Sequence, residues 1–139
     1  MKRIGVIDGQ GGGIGSAVIK KLKDHFGESV EIVALGTNAI ATAQMLKARA
    51  NRGASGENAI IQTVRKLDVI VGPIGIVLAH AMMGEVTPSI AEAVVNSLAR
   101  KFLVPLSREN IEIIGISPIP LPPLIDSLIQ DHLEPYLAK

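Results

Sequence analysis

The chain has 139 residues, enough for one domain with a real core, and 47% of them are apolar, which excludes disorder. Aromatic residues make up only 2%, so the core is built from Ile, Val, Leu and Ala, and the stacking platforms that single-stranded nucleic acid needs are missing. The net charge is +1 with both signs spread along the chain, which leaves no basic footprint for nucleic acid, and the lack of cysteine excludes disulfides, thiol catalysis and zinc–thiolate sites.

Lys2 and Arg3 run into four apolar residues before Asp8, too short a stretch for the core of a signal peptide. The longest apolar region, residues 69–83, is interrupted by Gly72, Pro73, Gly75 and His80 and falls short of a membrane span. A soluble, cytoplasmic protein with neither a membrane nor a nucleic-acid partner is therefore expected. Positive mean hydropathy in so small a domain implies apolar surface covered by another copy, so a homo-oligomer is expected.

Residues 4–7 read as a first strand and lead into Asp8-Gly9-Gln10-Gly11-Gly12-Gly13-Ile14-Gly15-Ser16. Residues 16–26 have helical spacing through Ala17, Val18, Leu22 and Phe26, with Lys20, Lys21, Lys23 and Asp24 outside, and Gly27 ends the helix. A second strand at residues 30–35 completes a right-handed βαβ unit with parallel strands. Thr37 and Asn38 cap a helix over residues 39–50, residues 51–56 form a loop, and residues 57–66 are helical again with Ser55 as their cap. Asp68 opens a third strand at residues 69–71, which Gly72 and Pro73 stop.

Residues 74–83 are nearly all apolar and are expected to be buried or at an interface. Thr87 and Pro88 start a helix that runs to Ser97, and residues 101–106 are the fourth strand. The link to residues 111–115 is too short for a crossover, so these are expected as an antiparallel edge strand. A proline-rich link then leads to a terminal helix over residues 124–136 that frays at Pro135. The whole chain, residues 1–139, is expected to be a single doubly wound, Rossmann-like α/β domain of three layers. Its sheet is mostly parallel, in the order 2-1-3-4-5 with the antiparallel strand at the edge.

Strand, glycine turn and helix in that order are the setting of a phosphate-binding turn. Glycine lets a ligand approach the backbone, and the first turn of the helix offers N–H groups and the positive end of its dipole to an anion. The expected ligand is a nucleotide or phosphorylated metabolite, with its phosphate on Gly9 to Ser16 and its sugar at Thr37 and Asn38. Gly72, Pro73, Ile74 and Gly75, at the end of the third strand, would wall the pocket. The bland alternative is a glycine turn that merely packs helix on strand, but one or two glycines would serve for that. Asp8 either ligates a phosphate-bound Mg²⁺ or accepts N–H bonds from its own turn.

The coenzyme is not specified. The dinucleotide fingerprint fits only loosely as Gly11, Gly13 and Ser16. Gly9, Gly13 and Gly15 resemble the glycine motif of short-chain dehydrogenases, but Asp8 stands where those proteins usually have threonine. Neither their ribose-binding acid nor their Tyr-x-x-x-Lys pair is present. No Lys follows the glycines as in a Walker loop. Elsewhere, Arg52, Ser55 and Glu57 are either parts of a second anion site or lid, or an ordinary loop. Arg108, with Ser107 and Asn110, either pairs with phosphate or carboxylate or is a solvated turn residue. His80 is either a satisfied buried imidazole or a general base, and the three histidines are too scattered for a metal set.

The string from Ile7 to Gly15, Ala34-Leu35-Gly36-Thr37-Asn38-Ala39, Ala50-Asn51-Arg52-Gly53-Ala54, Gly56-Glu57-Asn58-Ala59 and Val71-Gly72-Pro73-Ile74-Gly75-Ile76 resemble those of one family of small bacterial proteins. Gly84-Glu85-Val86-Thr87-Pro88 and Val104-Pro105-Leu106 are similar to it as well. That family is catalogued as a domain of unknown function, so the resemblance implies a Rossmann-like protein and no activity or catalytic residue. Two other functions remain open from the residues. One is an enzyme acting on a carbonyl or carboxylate metabolite with Asp8, Glu57 or His80 as acid or base. The other is a non-catalytic assembly subunit whose residues 74–83 cover a symmetric interface.

Overall fold

The computed structural model of the chain describes residues 1–106 and 109–139. One sheet of five parallel strands contains β1 (Lys2–Asp8), β2 (Val30–Gly36), β3 (Arg52–Ser55), β4 (Val69–Pro73) and β5 (Arg100–Val104). The crossovers carry α1 (Gly13–Phe26), α2 (Ala39–Lys47), α3 (Glu57–Val64) and α4 (Pro88–Asn96). The strand order is β3-β2-β1-β4-β5, so the chain winds outward from β1 to β3 and then returns to place β4 on the other side of β1. The reversal lies between β1 and β4, where the carboxyl ends of the strands leave room for a cleft.

Alternation along β1 sends Ile4 and Val6 to one face and Ile7 to the other. On the first face they join Ile32 and Val69 beneath Val18, Ile19 and Leu22 of α1, Met45 of α2 and Ile129 of the C-terminal helical arm. On the second face Leu35 and Ile70 pack under Ile60 and Val64 of α3 and Ile90 and Val94 of α4. Two buried clusters on opposite faces of a parallel sheet make a three-layer α/β domain. Among the described residues no helix is long and apolar enough to cross a membrane.

Both edges of the sheet differ from the expected order and its antiparallel strand. Residues 52–55, expected as loop, are the edge strand β3, which pairs with β2 from Val33↔Arg52 to Gly36↔Ser55. The cause is non-local. The Asn51 N–H donates to the Ile32 carbonyl at 2.8 Å, its side-chain oxygen accepts from the Ile32 N–H at 2.8 Å, and the Arg52 guanidinium forks onto Glu31 at 3.0 and 2.6 Å. The free edge of β2 thus imposes extended structure on an Arg-Gly-Ala-Ser segment of low strand propensity. Residues 111–115, expected as the antiparallel strand, join no sheet among the described residues, so β5 is the other edge. Their run is broken at Gly115, where φ is +90°.

Further differences are local. Gly56, not Ser55, is the N-cap of α3, and the Ser55 hydroxyl bonds Thr42 instead. The terminal helix does not fray at Pro135. It runs as α5 (Leu121–Ser127), a π-helical stretch (Leu128–Leu133) and α6 (Glu134–Leu137). Pro135 lacks an N–H and its ring excludes the carbonyl four residues back, so the wide turn just before it lets the helix continue. Lys23, expected outside, is 7% exposed, and its ammonium donates to Asn51 Oδ1 at 3.0 Å and pairs with Glu28 at 3.4 Å.

Asn51 therefore joins α1, β2 and the start of β3. Replacing it with alanine leaves a buried ammonium and a strand N–H short of an acceptor, so Asn51→Ala should lower the unfolding free energy by about 1–3 kcal/mol. Urea denaturation measures this, and a change under about 0.5 kcal/mol would show that Asn51 does not hold that edge.

Candidate functional site

β1 delivers Asp8 to the carboxyl end of the sheet, where it is 4% exposed. Its two oxygens accept from the Gly9 N–H at 2.8 Å and the Gly15 N–H at 2.7 Å. Of the two readings of Asp8, the geometry shows the acceptor of N–H bonds from its own turn. α1 begins with Gly12 as N-cap, without a side-chain cap, so Asp8 answers its first turn from below. The turn closes with Gly12 N–H to Gly9 carbonyl at 2.9 Å, and both the N–H and the hydroxyl of Ser16 donate to the Gly12 carbonyl. Thr37 N–H donates to the Asp8 carbonyl at 3.0 Å and ties the ends of β1 and β2 together.

The turn is gripped from above by a residue that sequence reasoning missed. Glu85 Oε1 accepts from the Gln10 N–H at 2.7 Å, the Thr37 hydroxyl at 2.6 Å and the Asn38 amide at 2.8 Å. Asn38 is further occupied: its amide donates to the Gln10 carbonyl and its oxygen caps α2 through the Ala41 N–H. The signal for Glu85 in the sequence is an acid following Gly84 directly after an apolar run.

Glu85 is carried on a tight loop in which His80, Met82, Met83 and Gly84 all have positive φ, between +57° and +89°. Three of the four are not glycine, and such conformations cluster where a loop is clamped for function. Internal bonds fix it, among them His80 N–H to Val86 carbonyl at 2.6 Å and Gly84 N–H to His80 carbonyl at 3.0 Å. Met82 N–H reaches out to Glu109 Oε1 at 2.9 Å.

Between turn and loop lies a cleft of about 900 Å³. Asp8, Gly9, Gln10, Gly11, Gly12, Gly13 and Ile14 form its floor, Pro73 and Gly75 one wall, and His80, Met82, Met83, Leu106 and Glu109 the rest. Gly15, Ser16, Gly72 and Ile74 do not line it, and neither do Thr37 and Asn38, whose side chains serve Glu85. Met82, Met83, Leu106 and Glu109 are lining residues that the sequence did not single out. His80 is exposed on the rim and makes no hydrogen bond to Glu85. Residues 74–83 thus supply the cleft and the core rather than one flat face, with Ile76 and Ala81 buried and Met83 94% exposed.

The glycines of the turn fall into two groups. A Cβ on Gly9 would meet Thr37 Oγ1 at 2.5 Å and Met82 Sδ at 2.6 Å, one on Gly12 would meet the Ala41 carbonyl at 2.8 Å, and one on Gly15 would meet Met45 Sδ at 2.6 Å. Packing explains these three. Gly11 and Gly13 face open space, with nothing within 4 Å, and neither has a positive φ. Their N–H groups make no hydrogen bond among the described residues.

Of the remaining candidates, Arg52 is spent on Glu31, and Glu57 accepts from the Thr87 hydroxyl at 2.6 Å and does not line the cleft. Ser107 and Arg108 lie outside the described residues. Among the described residues no three His, Asp or Glu side chains are grouped to hold a metal.

A family model spans residues 3–136 of this architecture. The chain belongs to DUF3842, a domain of unknown function. The resemblance read from its sequence strings is thus family membership, and it brings no activity with it. No curated protein and no solved structure matches the chain.

The two acids of this DUF3842 chain titrate in opposite directions. Burial pushes Asp8 above its ordinary 3.8, the negative Glu85 adds to this, and the N–H groups of Gly15, Gly9 and Ile14 only partly offset it. For Glu85 partial burial also acts upward, but the donors Thr37, Gln10 and Asn38 outweigh it and hold the carboxyl below its ordinary 4.5. The folded state therefore binds the Glu85 proton more weakly than the unfolded state. The stability that Glu85 supplies is present above pH 4.5 and is lost as pH falls through the folded value. Asp8 has the opposite sign: its ionisation weakens the fold as pH rises past 3.8. Urea midpoints measured from pH 7 down to pH 3 should fall less steeply for Glu85→Gln than for the wild type. Parallel profiles for the two proteins would remove Glu85 from this role.

Proposed function

We propose that the cleft binds a nucleotide or a phosphorylated metabolite, with phosphate oxygens on the N–H groups of Gly11 and Gly13. The observation that carries this reading is the sorting of the glycines. Gly9, Gly12 and Gly15 are required by packing, whereas Gly11 and Gly13 have neither a packing nor a conformational reason to lack a side chain, and both border the cleft. A backbone kept bare toward open space, at the start of a helix and at the switch point of a parallel sheet, suits the close approach of an anionic group. The sugar or base then lies toward Met82, Met83 and Leu106, since Thr37 and Asn38 are engaged with Glu85.

Asp8 and Glu85 place negative charge behind the turn. A bare phosphate dianion meets that charge unfavourably, and a phosphate carrying its own divalent cation does not. The reading is therefore of a metal-complexed nucleotide or sugar phosphate rather than of free phosphate. A second reading rests on the raised carboxyl of Asp8 at the floor of the cleft. A carboxyl that burial makes hold its proton more tightly than an exposed one suits acid–base chemistry on a carbonyl or carboxylate metabolite. His80 on the rim is the accompanying group, and Glu57 has no place in it.

Calorimetric titration with a panel of nucleotides and sugar phosphates, with and without Mg²⁺, tests the first reading, and the decisive variant is Gly13→Ala. An added methyl there meets no protein atom, so the variant should be as stable as the wild type or up to about 1 kcal/mol more so, while ligand affinity falls at least about tenfold. No heat from any phosphate-bearing ligand with the folded wild type, or full affinity in Gly13→Ala, would overturn the reading.

A further inference from the structure

β5 is bonded to β4 along one side only, and no strand among the described residues pairs with its other side. An open edge offers a row of N–H and C=O groups to any extended segment that can reach it, and Phe102, Leu103 and Val104 make this one apolar. The same chain holds a segment with strand composition and no strand partner: Ile111-Glu112-Ile113-Ile114-Gly115-Ile116. Ile111, Ile114 and Ile116 are 51%, 85% and 52% exposed, an unusual cost for three isoleucines so close together. Among the described residues the segment makes one backbone hydrogen bond, from the Ile111 N–H to the Glu109 carbonyl at 2.7 Å.

An acceptor edge and a donor segment that do not meet within one chain are complementary between two. We propose that two copies of this chain exchange them, residues 111–116 of each copy adding as a strand to the β5 edge of the other, with Gly115 turning from its φ of +90° to an extended backbone on pairing, as a glycine can. The charges agree with this pairing. The segment's own acid, Glu112, is opposite in sign to the exposed Arg100 at the start of β5, and a parallel pairing brings the two to the same end of the new ladder. Pro118 and Pro120 follow the segment and end the pairing, which confines the added strand to the length of the edge it covers. Each copy gives one segment and receives one, so the contact is two-fold and closes at a dimer instead of propagating. The exchange covers the exposed isoleucines and the open edge in one step. This interface is distinct from residues 74–83, which belong to the cleft and the core.

Sedimentation of the full chain over a concentration series, with hydrogen exchange of the same samples, tests the proposal. The wild type should sediment at twice the 14.6 kDa of one chain, with the amides of residues 111–116 protected and their protection lost on dilution. Ile114→Asp should keep the circular dichroism of the wild type, because the side chain is 85% exposed in the single chain, while weakening dimerisation about 100-fold or more. Leu98→Asp, at another fully exposed apolar residue, should leave the dimer intact. A wild type that stays monomeric at every concentration overturns the proposal, including one whose residues 111–116 are protected by a hairpin onto their own β5. So does a dimer that survives Ile114→Asp with residues 111–116 exchanging freely.

Discussion

Glu85 Oε1 accepts three hydrogen bonds at once, from a backbone N–H of the glycine turn and from the Thr37 and Asn38 side chains beyond β2. The ends of the first two strands are thereby locked to the loop that precedes α4. Charge-assisted bonds of this kind are worth more than neutral ones, and three on one oxygen hold the carboxylate ionised against its partial burial. The rest of the cleft depends on that anchorage. Glycine is demanded at position 9 because Thr37, Met82 and Glu85 close over it. The left-handed backbone at His80, Met82 and Met83, disfavoured by roughly 1–2 kcal/mol per residue, persists because the loop is pinned at Glu85, at Met82 N–H and by its own internal bonds.

The same anchorage explains why the turn departs from a dinucleotide site. In such a site the helix N-terminus is left for a pyrophosphate. Here Asp8 takes the Gly15 N–H and lies against Glu85, so much of the positive end of α1 is answered by the protein itself. The residues that would hold a ribose, Thr37 and Asn38, are likewise committed inward. What the turn leaves uncommitted is narrower than the motif suggests: two N–H groups without an acceptor among the described residues, at Gly11 and Gly13, in a cleft roofed by Met82, Met83, Leu106 and Glu109.

The sequence disclosed those parts of the fold whose signals are local. The β1–turn–α1 order, the Asn38 and Thr87 caps and the apolar face of α1 all rest on periodicity and capping chemistry, and the structure shows them. It did not disclose what depends on partners distant in sequence. Residues 52–55 have the composition of a loop and become a strand because β2 has an edge to fill and Asn51 and Arg52 can attach to it. Residues 111–115 have the composition of a strand and join none, because propensity alone supplies no neighbour. Lys23 sits at a position where a lysine reads as solvated, and the Asn51 side-chain oxygen together with Glu28 makes its burial tolerable. In the cleft, the floor was legible from the glycines, whereas the roof came from Met82, Met83, Leu106 and Glu109, which carry no motif.

The two acids and the two bare glycines together limit what the cleft can hold. A ligand that relied on charge alone would be met by Asp8 and Glu85, whose fields oppose an anion at the turn. A ligand that relied on apolar contact alone would leave the N–H groups of Gly11 and Gly13 desolvated without an acceptor, at a cost of about 1–3 kcal/mol each. The ligand we propose satisfies both surfaces: acceptor oxygens with their negative charge partly neutralised toward the floor, and a body with an apolar face toward Met82, Met83 and Leu106. In the proposed site the surface that would separate a nucleotide or an organic phosphate from inorganic phosphate is that second one, and its Met82 and Met83 lie on the loop that Glu85 keeps in place.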